Sequence, residues 1–308
     1  MNILVTGGAG FIGAALAERL VAAGHRVTAI DDCSTGRAER LGSGVALHLA
    51  DIAAGDLDAA FRAAAPEAVV HLAAMASIAK SVRAPERCAA VNVCGTVRVL
   101  RQCAKHGVRR FVFGSTGGAL YGDSAPLPTP ESQPAAALSP YGASKAAAEL
   151  FVAAMCAPAG IRHTVLRLGN VYGPGVDATG GSGVVAAFTR AALDGKPPAV
   201  CGDGMQTRDY VHLDDIVDAH LRVLDSGRDG VFNLGTGTQK TVLEVFETVA
   251  GAAGYRGVPT HGPARPGEAR RSCLDSARAA RLLGWSARVP FAEGVGRTVQ
   301  ALAEARAR

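Results

Sequence analysis

The chain has 308 residues, 48% hydrophobic and 19% charged, so it can bury a sizeable core and is not a disordered polymer. Its 32 Lys and Arg against 27 Asp and Glu leave a net charge of +5, spread along the sequence without a basic block or an interleaved aromatic platform. That excludes the electrostatic footprint of a nucleic-acid binder, and the lack of a long uncharged apolar run excludes a spanning helix and a membrane partner. The opening MNILVTGGAG has neither a charged start nor a long apolar stretch, so no signal peptide is expected. Seven cysteines without a C-x-x-C pair predict spare thiols in a reducing cytoplasm, with no disulfide framework and no metal site.

NILVT at 2–6 predicts a first strand, which runs into G-G-A-G-F-I-G and an amphipathic helix, FIGAALAERLVAAGH. Gly7, Gly10 and Gly13 stand at G-x-x-G-x-x-G spacing, with Phe11 and Ile12 between the last two. A pyrophosphate site needs glycine there, because the turn takes positive φ and the backbone must bring helix amides close to the phosphates. Tight turns also use glycine, but the strand before and the helix after predict a dinucleotide site. RVTAI at 26–30 predicts the second strand, followed by Asp31, Asp32 and Ser34, with Asp31 18 residues beyond Gly13. A carboxylate at that point accepts from the adenine-ribose hydroxyls and repels a 2′-phosphate, which favours NAD over NADP.

VALHL at 45–49 and EAVVH at 67–71 predict two more buried strands. Asp51 and Ile52 after one, and Leu72, Ala73 and Ala74 after the other, fall where loops pass an adenine and ribose, and equally where strands merely end. Glu86 to His106 has apolar residues at helical spacing, and RRFVF at 109–113 predicts a fifth strand. In S-P-Y-G-A-S-K, Ser139 caps a helix and Pro140 suits its first turn. Tyr141 and Lys145 then stack at i and i+4. A tyrosine titrates near 10 and is a poor base until a nearby cation lowers it, by about 1–3 units for a close pair. Only five of the 32 basic residues are lysines, so an ammonium kept here points to a specific use.

RHTVLRL at 162–168 predicts a sixth strand. Past Asn170 the texture changes to a Gly-rich loop, VYGPGVDATGGSG, and then to short helices and isolated strands, with HLDDIVDAHLRVLDSG at 212–227 as a helix returning to the first half. Strand and helix in alternation predict right-handed crossovers and an α/β fold, a doubly wound parallel (Rossmann) sheet. Residues 1–168 are the expected NAD-binding domain, and 169–308 a smaller α/β lobe for substrate.

Taken with these motifs, D-D-C-S-T-G, H-L-A-A, V-N-V-C-G-T, S-T-G-G-A-L-Y-G, L-R-L-G-N-V-Y-G-P, Q-T-R-D-Y-V-H and R-P-G-E resemble the extended short-chain dehydrogenase/reductase family, in the pattern of its UDP-glucose 4-epimerases, from the first strand to about Trp285. The resemblance implies that Thr116 bonds a sugar O4, that Tyr141 is the general base and acid, and that Lys145 holds the nicotinamide ribose. It adds Asn92 to the cofactor contacts and Asn170 to the sugar and diphosphate. Arg208 and Arg265 would clamp phosphates, and Glu268 would accept from the uridine ribose. It also implies a homodimer through helices at 86–106 and 141–157, with Val91, Val99, Phe151 and Met155 on the outer faces. Ser272, seven residues after Arg265, would stand where bulk at the sugar C2 is gated. Gly117 and Gly118 depart from the acids that dehydratases and decarboxylases of the family carry after the Ser/Thr. The expected activity is redox-neutral epimerisation of a UDP-hexose (UDP-glucose/UDP-galactose) at C4 through a transient 4-keto sugar and bound NAD. Another nucleotide sugar, a UDP-N-acetylhexosamine or UDP-uronic acid, is the alternative, and a non-catalytic NAD-binding regulator a further one.

Overall fold

The computed structural model describes residues 1–123, 125–175 and 183–307; residues 176–182 of the expected Gly-rich loop lie outside that set. Its first half alternates β1 (Asn2–Thr6), α1 (Phe11–Ala22), β2 (Arg26–Asp31), β3 (Val45–Leu49), α2 (Asp58–Ala64) and β4 (Ala68–His71). Three helices follow, α3 (Ile78–Arg83), α4 (Pro85–Ala89) and α5 (Thr96–Lys105), then β5 (Arg110–Thr116), α6 (Pro140–Cys156) and β6 (Arg162–Leu168). The second half holds β7 (Asn170–Tyr172), α7 (Val184–Leu193), β8 (Ala199–Cys201), β9 (Thr207–His212), α8 (Leu213–Ser226) and β10 (Gly230–Leu234). The last elements are β11 (Gln239–Thr241), α9 (Val242–Ala253), β12 (Thr260–Gly262), α10 (Ala277–Leu283) and α11 (Phe291–Ala307).

Seven parallel strands form one sheet in the order β10-β6-β5-β4-β1-β2-β3. Successive side chains of β1 point to opposite faces, so Ile3 and Val5 join one core with Leu16, Leu20 and Trp285, while Leu4 joins another with Phe61, Phe111 and Val152. Such double burial needs helices on both faces, which the crossovers supply. A separate core of Tyr172, Phe188, Tyr210, Phe246 and Val295 holds the smaller lobe together. The strand order reverses between β1 and β4, which opens a crevice at the carboxyl ends of the strands.

Four expectations change in three dimensions. The sheet recruits a seventh strand, β10, from the second half, because the helix at 212–227 returns and delivers the chain beside β6. β3 is the sheet edge rather than a buried strand, leaving Leu49 68% exposed. The helical span from Glu86 to His106 is interrupted by a wide π-helical turn at Ala90–Gly95. Of the four residues expected on outer helix faces, Val99 is fully buried, and Val91 and Met155 pack against the same core; Phe151 is exposed, with Leu150 beside it. Among the described residues no helix is long and apolar enough to cross a membrane.

Candidate active site

Gly7 takes φ +68°, and a Cβ there would sit 2.6 Å from the Ala73 amide nitrogen. At Gly13 a Cβ would come within 2.1 Å of the Gly7 carbonyl oxygen. Both positions therefore exclude any side chain, and the turn lies flush against the end of β4. The first turn of α1 opens here with no side-chain cap and no acidic residue, so its amides are left to a ligand. Asp31 closes the loop from β2: its carboxylate accepts from the amides of Ala9 at 3.0 Å and Cys33 at 2.8 Å. Burial raises the Asp31 carboxyl above its usual range, and those amides oppose the rise. Asp32 accepts from the Ser34 amide and hydroxyl.

The cleft over this cradle encloses about 1080 Å³, above the usual range for one small ligand of about 300–1,000 Å³. The proposed dinucleotide contacts Gly7, Gly10, Phe11, Ile12, Gly13, Asp31, Asp32, Ser34, Asp51, Ile52, Leu72, Ala73 and Ala74 all line it. At Asp51, burial pushes the carboxyl up, but the Arg87 guanidinium at 2.8 Å and the Ala53 amide outweigh it and hold the group below the usual range.

Asn92, expected among the cofactor contacts, is fully buried and does not line the cleft: Oδ1 accepts from the Met75 amide at 2.8 Å, and Nδ2 donates to the Met75 carbonyl at 3.2 Å and to Ser144 Oγ at 2.9 Å. Both ends of its amide tie the loop after β4 to α6.

Across the cleft, Ser139 caps α6 by accepting from the Gly142 amide at 3.2 Å, as its sequence predicts. Tyr141 and Lys145 line the cleft with Thr116 at the end of β5. Thr116 Oγ1 accepts from the Ala119 amide at 3.3 Å. Lys145 is buried and donates from Nζ to the Gly114 carbonyl at 2.7 Å, with the Phe113 ring centroid 4.5 Å away. Burial governs the electrostatics. It pushes the tyrosine up to about 12, with the Thr116 hydroxyl working the other way, and brings the lysine down to about 8, against Glu149. The lowering of Tyr141 expected from Lys145 is therefore not produced by the chain's own charges.

The opposite end of the cleft is built from side chains. Asn170 on β7 and Arg208 on β9 line it, with Arg265 and Glu268 from the loop before α10. Arg208 pairs with Glu268 at 3.2 Å, and Arg265 reaches the same carboxylate at 3.5 Å. Arg208 is buried, whereas the Arg265 side chain is 61% exposed. Ser272 is buried and does not line the cleft; its Oγ lies 3.9 Å from where a Cβ on Gly118 would stand, and Asn170 Oδ1 lies 3.1 Å from that point. A Cβ on Gly117 would meet Leu274 Cδ1 at 2.5 Å, so an acid there would have to displace that buried leucine. Sequence reasoning passed over Lys80, which also lines the cleft beside Ser77 on the short α3. A basic residue a few positions past H-L-A-A was the signal available.

A glycine cradle at the strand switch point, facing a Thr–Tyr–Lys cluster, defines an NAD-dependent enzyme of the extended short-chain dehydrogenase/reductase class. Residues 3–235 match the NAD dependent epimerase/dehydratase family, and the chain belongs to it. It is 42% identical over 306 residues to the UDP-glucose 4-epimerase of Mycolicibacterium smegmatis, covering 97% of this chain and 98% of that protein. Its structure superposes with a TM-score of 0.96 on UDP-glucose 4-epimerase of Thermotoga maritima solved with UDP-glucose, at 41% identity over 99% of this chain and 100% of that one. Against the Thermus thermophilus UDP-glucose 4-epimerase complexed with NAD the TM-score is 0.93, at 39% identity and 99% and 100% coverage. NAD is the cofactor, and the cradle suits it: bare backbone at Gly7 and Gly13 for the pyrophosphate, and a carboxylate at the end of β2 for the ribose.

Proposed function

We propose that the protein interconverts UDP-glucose and UDP-galactose by epimerisation at C4. The observation that carries this reading is the cluster of Thr116, Tyr141 and Lys145 facing the cleft of about 1080 Å³, with no acid beside Thr116 to divert the reaction. Tyr141 takes the O4 proton at its phenolic oxygen and later returns it, while the Thr116 hydroxyl holds O4 as it becomes a ketone. Lys145 holds the nicotinamide ribose. Arg208 and Arg265 grip the diphosphate, so the 4-keto sugar can turn and present its other face; Asn170 steadies the sugar and Glu268 accepts from the uridine ribose. NAD, held by the glycine cradle, Asp31 and Lys145, would supply a reversible hydride acceptor and a positive charge that would favour loss of the Tyr141 proton. The glycine-cradle domain comprises residues 1–168 with the returning 212–234 segment and α10, whose Leu283 packs with Trp285 on the same core, and the rest of 169–308 forms the lobe for the sugar nucleotide. The enzyme works in the cytoplasm as a homodimer, joined through the α6 face that carries Leu150 and Phe151; a monomeric mass by light scattering at micromolar concentration would contradict the dimer.

Incubation with UDP-galactose alone should yield UDP-glucose, and the purified protein should release NAD on denaturation. No conversion of any UDP-hexose would defeat the reading and leave the NAD-binding regulator in its place. A second reading, a UDP-N-acetylhexosamine as co-substrate, rests on the small Ser272, which lies behind Gly118 and Asn170 rather than on the cleft wall. Ser272→Tyr, by pressing on those two residues, should then abolish turnover of UDP-N-acetylglucosamine and spare UDP-glucose.

A further inference from the structure

Building on the roles proposed for Tyr141 and Lys145, we infer that Glu149 is a positioning residue of the reaction: its carboxylate ties the end of β5 to α6 and stands one helical turn from Lys145 as a counter-charge to it. Glu149 lies one helical step beyond Lys145 and two beyond Tyr141, so the three fall close to one face of α6. The strand opposite ends in Gly114, Ser115 and Thr116, and the first two each take one contact from that face. Gly114 accepts from Lys145 through its carbonyl and Ser115 donates from its hydroxyl to Glu149, while Thr116 lines the cleft together with Tyr141. A slip of strand against helix would break both bonds together.

Glu149 is itself firmly held. Arg167 on β6 donates to it from Nη2 at 2.6 Å and from Nε at 3.1 Å, with the two side chains only 12% and 10% exposed. Arg167 continues to the Tyr121 hydroxyl at 2.8 Å, which donates to Asn233 on β10 at 2.7 Å. The carboxylate is the counter-ion of the largely buried Arg167, which fixes its place and its charge. The same charge stands one helical turn from Lys145. The ionisable groups around that ammonium are Tyr141 and Glu149 on its own helix, Cys88 on α4 and His71 on β4. Glu149 is the carboxylate among them. Burial holds His71 neutral at neutral pH, and burial works against the lysine's charge while Glu149 supports it.

The test uses the NAD-loaded protein without substrate. With five lysines in the chain, isotope labelling of lysine lets the Lys145 side-chain signal, assigned with Lys145→Arg, be followed against pH by NMR. In Glu149→Gln the Lys145 titration should move to lower pH, and in separate assays with substrate the alkaline limb of kcat should move with it. A folded Glu149→Gln in which Lys145 titrates as in the wild type overturns the inference, whatever happens to activity. If that variant does not fold, Glu149→Asp, which keeps the charge, should leave the Lys145 titration in place; a comparable downward shift there also overturns it. Failure of the protein to epimerise any nucleotide sugar would instead count against the proposed function and leave this titration to be judged by itself.

Discussion

The two ends of the cleft are made from different materials. At the cofactor end the walls are backbone: Gly7 and Gly13 bring main chain against main chain so closely that a methyl group would meet an amide or a carbonyl. At the substrate end the walls are side chains from β7, β9 and the loop before α10, held by the ion pairs of Arg208 and Arg265 with Glu268. A wall of backbone is a shape that few sequences can make, so it commits the protein to one ligand. Side chains that reach in from distant elements can be exchanged without refolding the sheet, so under the proposed function this is the end that selects the sugar.

The sharpest break in that comparison lies between the two ends, at Tyr141. Tyr141→Phe removes only the phenolic oxygen, and its loss should lower the UDP-galactose to UDP-glucose rate about 10²–10⁴-fold with an unchanged melting temperature; near-normal turnover would remove Tyr141 from the chemistry. At the backbone end, Gly13→Ala must displace the Gly7 carbonyl, so NAD should be lost from the purified protein while the fold survives. Retention of NAD by that variant would show that the loop can yield.

At the side-chain end the effects should be smaller and unequal. Arg208→Met removes a buried cation, and the loss of a charged hydrogen bond to phosphate should raise KM by about 10–100-fold. Arg265→Met removes one that water already screens, so its KM should rise roughly fivefold or less. Equal effects would mean that exposure does not rank these two arginines.

The smallest expected effect is on acid stability, away from either end. Burial brings the fully buried His220 down to about 4 from an ordinary 6.5, so between those values the unfolded chain takes up a proton that the folded chain refuses. The stability it contributes is complete above about pH 6.5 and is lost as pH falls toward 4. Urea midpoints measured at pH 7.5 and 5 should converge in His220→Leu relative to the wild type; an unchanged gap would exonerate this histidine.

What the sequence determined by itself follows from short-range necessity. The glycine spacing, the carboxylate after β2 and the Tyr–Lys pair one helical turn apart are local patterns, and each is legible because the physics behind it acts within a few residues. The tertiary structure decided what depends on distant partners. β10 completes the sheet only because α8 carries the chain back beside β6. Asn92 is spent on Met75 because a wide turn in its helix aims it inward. Val99 faces the core because the sheet lies on that side of α5. Ser272 lies beside Gly118 rather than on the cleft wall. The ionisation of Tyr141 and Lys145 was beyond the sequence for the same reason: spacing names the neighbours of a charge, but desolvation depends on everything packed around it.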